Sequence, residues 1–162
     1  MLRKLGGFIA AAVMVAVLAG CQSYEEISVI LGADVSSAEV VSGSDSHGGF
    51  HGDGERYMEF QFEDDTFENT IQKDNTWHAL PVKEAPIEAL LYGKTIGEIT
   101  YGPYFQKEFP RVEKGYYFFY DRHGESADPF DASKVLGRSS LNVTVALYDA
   151  EQDTLYFAEL DT

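Results

Sequence analysis

The sequence predicts an α+β fold, mainly an antiparallel sheet with two short helices packed on one face. Three observations carry this. The C-terminal third alternates apolar and polar residues with period two, the mark of strands. "GYYFFYDR", 115–122, places aromatics on both parities, as a central strand does. Helix-start signals at Asp65 and Pro86 fall between the two groups of strands, and strands flanking a run of helices suggest a sheet with helices laid against it.

The elements follow in chain order. "ISVIL", 27–31, reads as a short strand or as the opening of a helix, and "AEVVS", 38–42, as a strand. "RYMEFQF", 56–62, sets Met58, Phe60 and Phe62 on one side and Tyr57, Glu59 and Gln61 on the other. Asp65-Thr66-Phe67-Glu68 has the form of a capping box, and Phe67 and Ile71 share a helical face, so a helix is expected from there to about Asn75. Trp77 and His78 fall between the helices as packing residues. The second helix starts at Pro86, a favoured first-turn residue. It carries Ile87, Leu90 and Leu91 inward and stops at Gly93. "IGEITYG" suggests a short strand, and Gly102-Pro103 and Pro110 mark loop. After the strand at 115–122, residues 123–137 read as a long loop with one helical turn. "SLNVTVALY", 140–148, and "TLYFAEL", 154–160, form a hairpin around the turn residues "DAEQD". The alternation in 140–148 predicts a half-buried strand.

The N-terminus has a different character. Arg3 and Lys4 precede an uncharged apolar run, 8–19, which ends in "LAGC" at 18–21. The run is shorter than the roughly 20 residues a membrane span needs, and its small-residue ending is that of a secretory signal peptide. "LAGC" resembles the lipobox of bacterial lipoproteins. The resemblance implies a signal peptide over 1–20, cleavage before Cys21 and lipid on Cys21. A tether over 21–26 and a single extracytoplasmic domain over 27–162 would follow, held to the cell membrane by its acyl chains. Two or three chains make a stable anchor where one holds weakly. Cys21 is the only cysteine, so the domain has no disulfide and relies on its core.

The chain has 162 residues and a formal charge of −15. Removing 1–20, which carries Arg3 and Lys4 and no acid, takes the charge to −17. Such a charge excludes nucleic acid and anionic lipid surfaces as natural partners. It suits solubility outside the cell, a basic protein partner or a cation. A monomer is expected.

One stretch invites a chemical reading. "SDSHGGFHGDGER", 44–56, holds His47, His51 and Asp53, and His123 lies in "DRHG" at the end of the aromatic strand. Three imidazoles and a carboxylate would suit a divalent metal if the two segments meet. The i, i+4 spacing of His47 and His51 gives no helical site, because Gly48, Gly49 and Gly52 disfavour a helix. The same residues serve equally as a glycine-rich strand connection. A second candidate surface is Tyr101, Tyr104 and Phe105 around Gly102-Pro103, rings able to stack on a carbohydrate ligand or fill a partner's pocket. No catalytic residues are assigned: the metalloprotease, nucleophile-elbow, phosphate-loop and dinucleotide motifs are absent.

"HGGFHGDG", "GYYFFYDRHG" and "LNVTVALYDAEQDTLYFAELDT" together resemble small lipoproteins of uncertain role in gut-dwelling Firmicutes. The resemblance implies a Gram-positive cell surface and transfers no catalytic residue. The function expected is a membrane-anchored binding or interaction module, more plausibly a non-enzyme. The alternatives are a metal-binding protein using His47, His51, Asp53 and His123, and an inhibitor or immunity-type lipoprotein that masks a cationic enzyme.

Overall fold

The computed structural model describes residues 24–48 and 52–162. Cys21 and His51 therefore lie outside the described residues. The chain divides into two compact units, one ending at Ser37 and the other spanning Ala38–Thr162.

In the first unit, residues 24–31 form a helix, α1. Of the two readings of "ISVIL", helix is the one realised. Ile27 and Leu31, one turn apart, are buried, while Val29 is 77% exposed. That is the 3.6-residue period rather than the two-residue one. Gly32 follows at φ 66°, the left-handed residue that commonly ends a helix. Among the described residues no helix is long and apolar enough to cross a membrane.

The second unit is built on a six-stranded sheet of order β1-β2-β8-β7-β6-β3. Its strands are β1 (Glu39–Asp45), β2 (Gly54–Gln61), β3 (Trp77–Ala79), β6 (Gly115–Asp121), β7 (Asn142–Asp149) and β8 (Thr154–Asp161). Every neighbouring pair is antiparallel. A separate hairpin pairs β4 (Lys94–Ile96) with β5 (Ile99–Tyr101). Two helices, α2 (Thr66–Ile71) and α3 (Ala85–Tyr92), complete the α+β fold, with a 3-10 turn at Ala132–Gly137.

The helices divide between the two faces of the sheet, where the sequence had suggested one face for both. Ile87, Leu90 and Leu91 of α3 join the core with Val143, Val145 and Leu147 of β7. On α2, Phe67 stacks on Phe62 at 4.5 Å and meets Tyr148, of the opposite parity, at 5.4 Å. Residues of β7 from Val143 to Tyr148 are consequently all fully buried. The expected half-buried strand is a central one, and its "polar" parity is filled by Thr144, Ala146 and Tyr148. Each is small, or has its hydroxyl bonded: Tyr148 to Asp153 at 3.0 Å, and Thr144 to Glu159 at 3.5 Å.

Helix α2 is shorter than expected, and no capping box forms. Asp65 makes no side-chain cap bond; Asp64 accepts the Thr66 N–H instead, at 2.9 Å. Helix α3 matches the reading, with proline in its first turn and Gly93 at φ 75° as its cap. The three-residue edge strand β3 escaped the sequence reading. Trp77 pins it, edge-on to Phe67 at 5.9 Å and 5.3 Å from Phe118.

Residues 102–113 lie over the α3 face. Gly102 starts this loop at φ 60°, and a Cβ there would sit 2.0 Å from the Ala89 carbonyl oxygen, so only glycine allows the approach. Phe105 and Phe109 enter the core, ring centroids 5.3 Å apart. The loop is then held by a buried acid. Glu55 accepts the backbone N–H of Gln106 at 2.5 Å and of Lys107 at 3.1 Å. Two donors on one carboxylate make a charge-assisted clamp of the stronger kind.

Candidate functional site

The strand register decides whether the glycine-rich loop and "DRHG" meet. Asp161 pairs with Gly54 of β2 on one side and Asn142 of β7 on the other. The end of β1, the start of β2, the end of β6 and the end of β8 therefore share one end of the sheet. There His47 Nε2 lies 3.0 Å from Asp161 Oδ2, and Arg122 Nη2 donates to the same oxygen at 3.1 Å. The two motifs converge, and the meeting point is a carboxylate.

His47 is held from both sides. Its Nδ1 lies 2.7 Å from Asp45 Oδ1. Both ring nitrogens face carboxylates, so a ring N–H on either side finds an acceptor. Burial works to raise the pKa of Asp45. The backbone and ring N–H groups of His47, with the charges of His47 and Arg56, outweigh it and hold the carboxyl below its ordinary range. Behind this lies a second buried acid. Glu159 meets Arg56 at 3.4 Å and Arg122 Nε at 3.9 Å. Arg56, Glu159 and Thr144 are direct cross-strand neighbours on β2, β8 and β7, the spacing at which opposite charges support a sheet. Asp121, also buried, pairs with Arg138.

Of the other proposed metal ligands, His51 lies outside the described residues. Asp53 borders a polar hollow of about 440 Å³ with Ser140, Asn142 and Asp161. His123 Nδ1 accepts the Glu125 N–H at 3.2 Å, which leaves the ring proton on Nε2. That nitrogen faces Ser140 Oγ at 3.5 Å as a donor, so His123 is not placed to take the serine's proton. Ser46, beside His47, is tied to Glu55 through its N–H and its hydroxyl. Among the described residues, the group of three ligand-bearing side chains with atoms within 4.8 Å of one another is Asp65, Glu68 and Asp153. Two of these belong to the start of α2, where the helix dipole already favours acid.

Of the three aromatic candidates, Phe105 is buried and serves the core, Tyr101 is half-buried on β5, and Tyr104 is 37% exposed. They do not form one stacking platform.

A cleft of about 460 Å³ lies on the same side of the molecule as α3. Leu80, Pro81, Val82, Tyr92 and Val112 give it apolar walls, and Glu88, Arg111 and Glu113 are its charges. Lys94 neutralises Glu88. Tyr92 is fixed by donating its hydroxyl to the Pro110 carbonyl at 2.9 Å. The Arg111 guanidinium lies 3.8 Å from the Tyr92 ring centroid, a cation–π contact. Burial raises the Tyr92 phenol, helped by Glu88 and opposed by Arg111. Arg111 also borders a smaller adjoining hollow of about 250 Å³ with Leu91, Phe105 and Phe109. Concave form, apolar walls and a few placed charges are the ordinary features of a ligand site. A wider hollow of about 600 Å³ belongs to the first unit, but it lies along one short helix and the turn after it, lined by Tyr24, Val29, Gly32 and Asp34 among others.

Sequence reasoning passed over this cleft, although "LPV" at 80–82 and "RVE" at 111–113 are apolar residues in loops, the one signal available. Asp161 was passed over for a different reason: it sits in an ordinary strand ending. Compared with known proteins, the chain matches no family model, no curated protein and no solved structure.

Proposed function

We propose that this protein is a lipid-anchored, extracytoplasmic binding module whose ligand seat is the cleft between residues 80–82, α3 and residues 111–113. The cleft itself carries this reading: its volume of about 460 Å³ lies within the range of small-molecule sites, and its walls are apolar with few charges. The anchor rests on the lipobox-like "LAGC" and the signal-peptide pattern before it. A module of this kind needs no catalytic group, and His47 and His123 at that end of the sheet are engaged in contacts that explain them structurally.

Two experiments test the reading. Fractionation of cells expressing the wild type and Cys21→Ala tests the anchor: the wild type stays with membranes and the variant is released or retained as precursor. Equal distribution of a lipid-free wild type would remove the anchor. For the seat, amide chemical shifts are followed while a neutral apolar probe, N-acetyl-leucine amide, is added. The expected shifts gather at Leu80, Val82, Tyr92 and Val112. A response scattered over the surface would remove the seat.

A further inference from the structure

The charges of the cleft specify its ligand more closely; this step rests on the cleft being the seat. Arg56, Arg122 and Arg138 each meet a carboxylate, whereas Arg111 has no ion pair among the described residues. Its guanidinium is oriented by the Tyr92 ring, leaving its fork of N–H donors for something else. Glu113 lines the same cleft and likewise has no ion pair among the described residues. The two opposite charges share a cleft and form no ion pair with each other. Glu88, the third, is already engaged by Lys94.

We infer that the cleft binds a short apolar peptide as a zwitterion, its carboxylate on Arg111, its ammonium on Glu113 and its side chains against Leu80, Val82 and Val112. Three arguments favour this class. A simple anion would be repelled by the strongly acidic domain, and a simple cation would face Arg111; a zwitterion has no net charge to be steered away. Guanidinium and carboxylate form the bidentate pair that Arg recognition favours. Arg111 and Glu113 are two residues apart, so their backbones separate by at most about 7 Å, and their flexible side chains can reach the two ends of a short peptide laid beside them.

The test is calorimetric titration of the full chain, solubilised in nonionic detergent, with leucyl-leucine, leucyl-leucinamide, N-acetyl-leucyl-leucine, the doubly capped peptide and leucine. Leucyl-leucine is expected to bind saturably, with each single cap weakening it about tenfold, the size of one lost charge-assisted contact. Arg111→Gln should bind leucyl-leucine and its amide equally. Glu113→Gln should do the same for the acetylated pair. Melting temperatures of both variants verify that they fold. If the doubly capped peptide binds wild type as tightly as leucyl-leucine, the cleft remains a seat and the zwitterion assignment is overturned. Leucine binding as tightly as the dipeptide would overturn the peptide length. No binding by any of the five would overturn both this inference and the seat.

Discussion

His47 and Arg122 bond to the same oxygen, Oδ2 of Asp161, at 3.0 and 3.1 Å. One carboxylate at the end of β8 thus fastens the loop after β1 and the segment after β6. Asp161→Ala should cost about 1–3 kcal/mol, the range for charge-assisted bonds and partners left unpaired. In that background His47→Ala should cost clearly less than in the wild type, because its bond to Asp161 is already gone. Urea unfolding of the wild type, both single variants and the double variant measures the coupling; strict additivity would mean that the shared contact contributes nothing.

Glu159 is more deeply placed and serves Arg56 and Arg122 together. Glu159→Ala would remove this acid from two partly buried guanidinium groups, while Arg122 keeps Asp161. The expected loss is about 3 kcal/mol, at the lower end for breaking a buried pair. Glu159→Gln keeps the shape and should lose less. Denaturation midpoints read both, and a loss under about 1 kcal/mol for the alanine variant would place the network among ordinary surface pairs.

Glu55 holds the loop that shapes the α3 side. Glu55→Ala frees the N–H groups of Gln106 and Lys107. A loss of about 2 kcal/mol is expected. Hydrogen exchange at those two amides should quicken in the variant while the amides of β7 stay protected. Unchanged exchange at 106 and 107 would show that the loop is held by Phe105 and Phe109 alone.

Several carboxyls titrate below their ordinary 3.8: Asp45 for the reasons given, Asp34 through Ser36, Asp64 through Thr66 and Asp131 through Ser133. A depressed folded pKa stabilises above the unfolded value and is lost as pH falls through the folded one. Stability should therefore decline below about pH 4, less steeply in Asp45→Asn. At the other end, burial raises the phenols of Tyr57 and Tyr117 above 10.0, aided by Glu59 and Glu84. Their contribution is complete below pH 10 and lost above it. Tyrosinate absorbance followed against circular dichroism should show both ionising only as the fold opens.

How much was legible follows from the range of each interaction. The strand at 140–148 and its partner at 154–160 announce themselves through alternation, and α3 through Pro86 and Gly93, all local signals. Burial of both faces of β7 was hidden, because Thr144 and Ala146 look like solvent-facing residues until α2 and the Phe62–Phe67 pair take the far face. Strand β3 is too short for any period to show. At the His47 end of the sheet the loop and "DRHG" could be suspected of meeting, but the residue that joins them is 114 positions from His47. Only the pairing of Gly54 and Asn142 with Asp161 makes that contact visible. The cleft required the packing of three separated segments, and none of them carries a recognisable motif.

The central claim is that the cleft beside α3 seats a short zwitterionic peptide. A crystal structure grown with leucyl-leucine tests it most directly. The account predicts the dipeptide between Val82 and Tyr92, its carboxylate on Arg111 and its ammonium on Glu113. An empty cleft at saturating dipeptide, or a dipeptide bound elsewhere on the molecule, would contradict it.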